Sequence, residues 1–96
     1  MFVISITYIK SAAEVDLLLT AHKHFLNEHY ANGNFLMSGR KVPRKGGIII
    51  ADVADRAEME SIMESDPFSI GEVAEYTITE FIPSMTAEAL AGFRQA

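Results

Sequence analysis

The stretch Ile48-Ile49-Ile50-Ala51-Asp52-Val53 decides the fold of this 96-residue chain. For most of its length it is apolar on both sides of an extended backbone, which is typical of a strand in the middle of a sheet. Directly after it, Asp55-Arg56-Ala57-Glu58 predicts a capping box that opens a helix ending near Ser65. A central strand is therefore predicted to be followed directly by a helix. Further elements are predicted before and after this strand–helix unit in the sequence.

A strand, a helix and a second strand are predicted before this unit. Phe2–Ile9 places its even-numbered residues, all apolar or aromatic, on one face. Ser11-Ala12-Ala13-Glu14 fits a capping box, and the helix that it opens should end just before Gly33, a left-handed C-cap. Asn34–Gly39 is a short second strand. The loop over residues 40–47 that follows is too long for a tight hairpin turn.

A turn, a fourth strand and a terminal helix are predicted after the unit. Pro67–Gly71 forms a turn or a single helical turn, Ala74–Ile82 alternates as a strand, and Pro83 stops that strand. Residues 86–93 form a weak terminal helix. The order β-α-β-β-α-β is that of a ferredoxin-like α+β fold, in which both main helices cover one face of an antiparallel sheet.

The face of the sheet away from the helices is predicted to be apolar. It would carry Val3, Ile9, Ile49 and Phe81 among hydroxyl-bearing residues. Such a surface is unfavourable in water, so a second copy of the chain is predicted to cover it, which gives a homodimer. The terminal helix is a further candidate to cover part of this face.

The length and composition of the chain restrict the class of protein to which it can belong. The chain is predicted to be one domain over residues 1–96, with a core over 1–83 and a C-terminal helix or tail over 84–96. The absence of cysteine excludes disulfide staples, thiolate metal sites and a cysteine nucleophile. Neither a signal peptide nor a run of ~20 apolar residues is present, so a soluble cytoplasmic protein without a membrane partner is predicted. A net charge of −5 argues against nucleic-acid binding.

The positive charge of the chain is concentrated in one segment. Arg40, Lys41, Arg44 and Lys45 supply four of its eight basic residues. A small anion could be held at this loop, and a solvated hairpin tip also explains the same residues.

Two titratable residues interrupt the apolar stripes of the two predicted main helices. His22 fills the missing step of one stripe, and Asp66 extends the other. The stripes consist of Val15, Leu18, Leu19, Phe25 and Leu26 in the first helix and of Met59, Ile62 and Met63 in the second. Pro67 disfavours a helical conformation at Asp66, which leaves this carboxylate at a helix end. Because each polar group needs a partner if it is buried, His22 and Asp66 are predicted to partner each other.

This predicted pair fits two roles. A carboxylate that is bonded to one imidazole nitrogen sets the tautomer and raises the basicity of the ring, which leaves the other nitrogen free for proton transfer. A buried His–Asp bridge that only satisfies its own polar groups is the structural alternative.

Nucleophilic and metal chemistry are not indicated. No serine, Ser38 included, lies in a nucleophile-elbow pattern. His22 and His24 are two positions apart and His24 and His29 are five apart, and neither spacing puts two imidazoles side by side on a helix. Neither a metal nor a cofactor is therefore predicted.

Several short motifs follow one another along the chain. They are Ala21-His22 with Phe25 and Leu26 ahead of Gly33, Phe35-Leu36-Met37-Ser38-Gly39, Pro43, Gly46-Gly47, Asp66-Pro67-Phe68, Gly71 and Tyr76 through Phe81. In this order and at this spacing, the motifs resemble the YCII-related family, and the match extends over about residues 1–83, which is nearly the whole chain.

The resemblance implies a fold, an assembly and a site. Members of the family look like dimeric α+β barrels of ferredoxin-like subunits, and their His–Asp active site maps onto His22 and Asp66. This implies acid–base chemistry without a metal, and related folds host isomerases, lyases and cofactor-free oxygenases. The chain departs from some members that have an arginine before the histidine and a proline after the Ser-Gly pair. It has Leu19-Thr20 and Arg40 at these places, which makes Arg40 a candidate substitute contact for an anion.

The leading hypothesis is a cofactor-free enzyme of the lyase or isomerase type that acts on a small ring or enolisable metabolite. His22 would be the general base or acid and Asp66 its orienting partner, and the substrate would contact Arg40, Ser38 and Phe68. Two alternatives have the same fold. In one the pocket binds a small molecule without turnover, and in the other the protein is an interaction dimer whose His–Asp bridge serves stability alone.

Overall fold

The computed structural model describes residues 1–95 of the chain. Four strands, four α-helices and one 3₁₀ helix follow one another in these residues. They are β1 (Phe2–Tyr8), α1 (Ala12–Leu17), α2 (Leu19–Ala31), β2 (Phe35–Arg40), β3 (Gly46–Ala51), α3 (Arg56–Glu64), α4 (Pro67–Ile70), β4 (Ala74–Glu80) and a 3₁₀ helix (Glu88–Phe93). Among these residues no helix is both long enough and apolar enough to cross a membrane.

The strands form one antiparallel sheet in the order β2-β3-β1-β4. The strand β3 lies between β2 and β1, as its apolar composition on both faces predicts. The helices pack on one face of this sheet, where they bury a single core. The predicted α+β fold of the ferredoxin-like type is therefore confirmed.

The core lies between the sheet and the helices, and β1 supplies its centre. Phe2, Ile4 and Ile6 point towards the helices and are at most 3% exposed. They pack against apolar residues of α1 to α4, including Val15 and Met59. Burial of such side chains stabilises the fold by about 1.5–3 kcal/mol each.

One residue of β3 lies on the face opposite to its predicted face. Ile49 is paired with Ile4 and is 1% exposed, so it belongs to the core, and the prediction that it lies on the outer face is wrong. The outer face instead carries Ile50, which is paired with Val3. Because residues 48–50 are all isoleucine, their sequence does not distinguish the buried face of the strand from the outer face. Only the pairing register with β1 decides which of them is buried.

The first predicted helix is divided into two. Its capping box at Ser11 and Glu14 is confirmed, because each residue accepts a hydrogen bond from the backbone N–H of the other. The helix is interrupted at Leu18 and continues as α2. Gly33 follows its last turn with a φ of +84°, the left-handed conformation that was predicted.

A glycine at the start of β3 allows this strand to approach β1 closely. Gly46 has a φ of +154°, and a Cβ atom on it would lie 1.7 Å from the carbonyl oxygen of Ile6. Next to it, the backbone N–H of Tyr8 donates to the carbonyl oxygen of Lys45 (2.8 Å). The loop that precedes β3 is therefore held against the end of β1, beside the candidate site.

The chain after β4 covers part of the outer face of the sheet. The fourth strand ends at Glu80, two residues earlier than predicted, and the predicted terminal helix is a 3₁₀ helix. This segment closes an apolar cavity of about 380 Å³ against the sheet. The cavity is lined by Met1, Leu36, Met37, Ile50, Phe81, Pro83, Met85, Thr86, Leu90 and Phe93.

Candidate active site

His22 and Asp66 are in direct contact, although 44 positions separate them in the chain. The Nδ1 atom of His22, on α2, lies 2.8 Å from the Oδ1 atom of Asp66, at the start of α4. The histidine is 8% exposed and the aspartate is not exposed at all. The predicted partnership of the two residues is thus present in the structure, whereas their chemical role stays a prediction.

The Asp66 carboxylate is held by three hydrogen-bond donors. Besides His22, the backbone N–H of Phe68 donates to Oδ1 (3.0 Å), so Asp66 is the N-cap of α4. The hydroxyl of Tyr76 donates to Oδ2 (2.9 Å). A fully buried carboxylate without such donors would be strongly unfavourable, and here both oxygens are satisfied.

Tyr76 contacts the candidate site, although it was not among the site residues predicted from the sequence. It lies on β4, where its ring faces the helices and its hydroxyl reaches Asp66. Burial, and next the nearby Asp66 carboxylate, raise the pKa of its hydroxyl, so that Tyr76 stays protonated and acts as a donor. The signal available in the sequence was the polar tip of a core-facing tyrosine, which requires a partner.

The imidazole of His22 is fixed in orientation by its neighbours. Its ring stacks on Phe68 with 3.9 Å between the ring centroids and 6° between the planes. Because an ionised carboxylate only accepts, the bond to Asp66 places the hydrogen of a neutral imidazole on Nδ1 and leaves Nε2 as an acceptor. No group among residues 1–95 hydrogen-bonds Nε2, and no buried side-chain nitrogen or oxygen there lacks a partner, so Nε2 is open to solvent.

A pocket of about 200 Å³ lies in front of His22. Four of the five predicted site residues line it, namely His22, Ser38, Arg40 and Phe68, and the fifth, Asp66, lies behind the imidazole. The helices supply His22 and Phe68, and β2 supplies Ser38 and Arg40. The fold therefore brings together residues that are far apart in the chain.

Ser38 and Arg40 play different parts in this pocket. The Ser38 Oγ atom is 2.5 Å from the Tyr30 hydroxyl oxygen, and no hydrogen bond joins it to His22 in residues 1–95. A Ser–His nucleophilic pair is thus not assembled. Arg40 is exposed and forms no ion pair with any part of the chain that the structure describes.

The basic loop does not act as one cradle for an anion. Arg44 forms an ion pair with Asp16 (Nη2 to Oδ1, 2.6 Å), which raises the pKa of its guanidinium. Its guanidinium carbon also lies 5.5 Å from the centroid of the Tyr8 ring. Lys41 donates to the hydroxyl of Thr7 (3.2 Å). These contacts hold the loop on the neighbouring elements and engage two of its four cations.

The three histidines lie apart from one another in the part of the chain that the structure describes. Across residues 1–95, no three His, Asp or Glu side chains are grouped closely enough to hold a metal ion. His24 is exposed, and the Nδ1 atom of His29 lies 3.1 Å from the Nδ2 atom of Asn34.

Comparison with known protein families shows which family this chain belongs to. The family described as the YCII-related domain matches residues 1–82. This chain belongs to the YCII-related family. The match extends over almost the whole YCII-related core and confirms the resemblance that the motifs indicate.

Comparison with solved structures supports the fold. This YCII-related domain is similar to the 5-chloro-2-hydroxyhydroquinone dehydrochlorinase from Burkholderia phenoliruptrix AC1100, solved in complex with 2,5-dihydroxybenzoquinone. The TM-score is 0.69 at 15% sequence identity, and the likeness covers 84% of this chain and 93% of the other. At this identity the likeness concerns the fold. No curated protein matches the sequence.

Proposed function

We propose that this YCII-related protein is an enzyme that performs acid–base chemistry on a small ring or enolisable compound, in a lyase or isomerase type of reaction. The observation that carries the proposal is the state of His22. Its Nδ1 atom is bonded to a buried carboxylate, its Nε2 atom has no hydrogen-bond partner among residues 1–95, and the residue lines a pocket. A positioned imidazole of this kind suits a general base at neutral pH.

In the proposed reaction, Nε2 of His22 removes a proton from a carbon or hydroxyl group of the substrate. Asp66 keeps the ring in the required tautomer and stabilises the imidazolium that forms. In an elimination, the electron pair moves into the substrate and the leaving group departs from the adjacent carbon with its bonding pair. In an isomerisation, the imidazolium returns the proton to a different atom. Neither step requires a metal or a cofactor.

The proposed substrate contacts are the other residues of the pocket. Phe68 supplies an apolar wall and also supports the face of the imidazole. Arg40 would bind a carboxylate or phenolate, and Ser38 would offer a polar contact next to Tyr30. The similar structure belongs to a dehydrochlorinase of a chlorinated hydroxyhydroquinone, and its name supports a ring compound as the first substrate to test.

The test compares two histidines of the same helix. His22→Gln should abolish turnover because glutamine is not a base, whereas His24→Gln should keep it because His24 is exposed and lies outside the pocket. Chloride release from chlorinated hydroxyhydroquinones and exchange of enolisable protons with deuterated water, followed by NMR, detect the two reaction types. Full turnover by a folded His22→Gln variant would disprove the proposal.

We also propose that the protein is a homodimer in which a second copy covers the outer face of the sheet. Val3 and Ile50 lie next to each other on this face and are only half-buried, and Met37 beside them is exposed. An apolar surface of this kind on an antiparallel sheet favours association.

A cytoplasmic location and the lack of a nucleic-acid partner stay predictions from composition.

A further inference from the structure

We infer that the pocket in front of His22 takes a ring compound with a negative charge, and that Lys23 and Arg40 together bind this charge. The inference rests on the proposed function for the reaction, but it concerns binding alone. Lys23 was not among the site residues expected from the sequence, and it enters here as a second anion contact.

The charge of the pocket is opposite to the charge of the chain. The chain carries a net charge of −5, with 13 acidic and eight basic residues. Nevertheless two permanent cations, Lys23 from α2 and Arg40 from β2, line the pocket, and the described residues that line it include no aspartate or glutamate. A cleft with one sign of charge concentrates ligands of the opposite sign.

The negative charge of Asp66 does not cancel these cations. Asp66 has no exposed surface, lies behind His22, and has its oxygens occupied by three donors. A ligand in the pocket therefore meets the imidazole and not the carboxylate. The two cations remain the permanent charges that the pocket presents.

Lys23 and Arg40 also differ from other cations near the site. Arg44 and Lys41 are engaged by Asp16 and Thr7 respectively. By contrast, neither Lys23 nor Arg40 has a hydrogen bond or ion pair from its side chain to any group in residues 1–95. Their charges are therefore available to a ligand at the pocket.

The size and walls of the pocket restrict the rest of the ligand. A volume of about 200 Å³ lies below the range of roughly 300–1,000 Å³ that is typical of sites for larger ligands. The other walls of the pocket are mostly apolar, with Ile6, Leu19, Leu26 and Phe68 among them. A single ring that carries one carboxylate or phenolate fits both the apolar walls and the charge.

Benzoate and benzamide test this inference, because they have nearly the same size and shape and differ in charge. In an NMR titration of the whole protein, benzoate should bind more tightly than benzamide. Lys23→Gln and Arg40→Gln should each weaken benzoate binding by about threefold to tenfold, as loss of one charge-assisted contact does. The affinity for benzamide should not change.

Lys45→Gln is the matched control, since Lys45 belongs to the basic loop and does not line the pocket. It should leave benzoate binding unchanged. The inference is overturned if benzoate does not bind, if the two probes bind equally, or if Lys45→Gln weakens benzoate as much as the pocket variants do.

His22→Gln separates this inference from the proposed function. The variant should still prefer benzoate to benzamide, because Lys23 and Arg40 are intact, while turnover is lost. Preserved turnover in this variant would disprove the acid–base proposal without affecting the inference about charge. If the wild-type protein does not prefer benzoate to benzamide, the inference is overturned, and the proposed role of His22 is not affected.

Discussion

Asp66 is the residue on which the site depends, because one carboxylate caps a helix, orients an imidazole and accepts from a tyrosine. Each of these contacts has a separate donor, namely Phe68, His22 and Tyr76. Hydrogen bonds to a charged group contribute roughly 1.5–3 kcal/mol each. Asp66 thus couples the stability of the fold to the geometry of the proposed catalytic histidine.

Removal of the Tyr76 hydroxyl tests this coupling at the scale of one residue. Tyr76→Phe should lower the free energy of unfolding by about 1–2 kcal/mol, since Oδ2 of Asp66 loses its donor while the ring still packs. Urea unfolding at neutral pH measures the change. If the hydroxyl contributes to orienting the pair, turnover should fall as well, though less than in His22→Gln.

The raised pKa of Tyr76 also predicts a dependence of stability on alkaline pH. Because the pKa is higher in the folded protein than in the unfolded chain, the unfolded state alone loses this proton as the pH rises above about 10. The contribution of Tyr76 is therefore complete below that pH and is lost above it. Tyr76→Phe should show a smaller loss of stability between neutral pH and about pH 11, and an unchanged loss would contradict this account.

At the scale of elements, the close approach of the start of β3 to β1 positions one side of the pocket. Gly46 lies against the backbone of Ile6 and Thr7, and both Gly46 and Ile6 line the pocket, so the glycine allows the two backbones to come into contact there. The preceding loop is also held in place by the ion pair between Arg44 and Asp16 of α1. The pocket therefore depends on backbone packing as well as on its side chains.

Gly46→Ala should destabilise the protein by about 2–4 kcal/mol, because the new Cβ would meet the Ile6 carbonyl at 1.7 Å and the φ of +154° disfavours any side chain. Gly39→Ala is the matched control in the neighbouring strand, where a Cβ would meet no atom within 4 Å. Urea unfolding of both variants compares the two sites. Equal midpoints would show that the close approach is not required.

At the scale of the whole molecule, one sheet has two apolar faces, and the helices bury only one of them. The segment after β4 covers part of the other face and leaves a cavity of about 380 Å³. Ile50 lines this cavity, Val3 is paired with it on the same face, and both side chains are only half-buried. This arrangement is the basis for the proposed homodimer.

Sedimentation equilibrium should give twice the mass of the chain for the wild-type protein. Ile50→Lys should shift the protein towards monomers, because it places a charge in the middle of the proposed interface. Ile70→Lys is the control, since Ile70 is 71% exposed on α4 and lies far from the outer face of the sheet. A wild-type monomer, or a dimer that Ile50→Lys leaves intact, would contradict the proposal.

Local patterns in the sequence determined the elements and the placement of the two central site residues. The capping box at Ser11, the N-cap at Asp55, the alternation in β1 and the position of Pro67 are short-range features, and they act on neighbouring residues whatever the rest of the chain does. At Asp55 the predicted capping box is incomplete, because the Glu58 carboxylate accepts from the backbone N–H of Ala54 and not from that of Asp55. The same is true of His22 and Asp66, because each is the polar residue of an otherwise apolar stripe. Their partnership was predictable since two buried polar groups need partners.

Tertiary structure alone decided how these elements meet. The register of β3 against β1 places Ile49 in the core, and the packing of α2 beside β2 puts Lys23 and Arg40 at one pocket. Tyr76 reaches Asp66 only when β4 lies under α4. Register and packing result from contacts between residues that are distant in the chain, so they follow from the collective burial of the whole core and not from any single stretch of sequence.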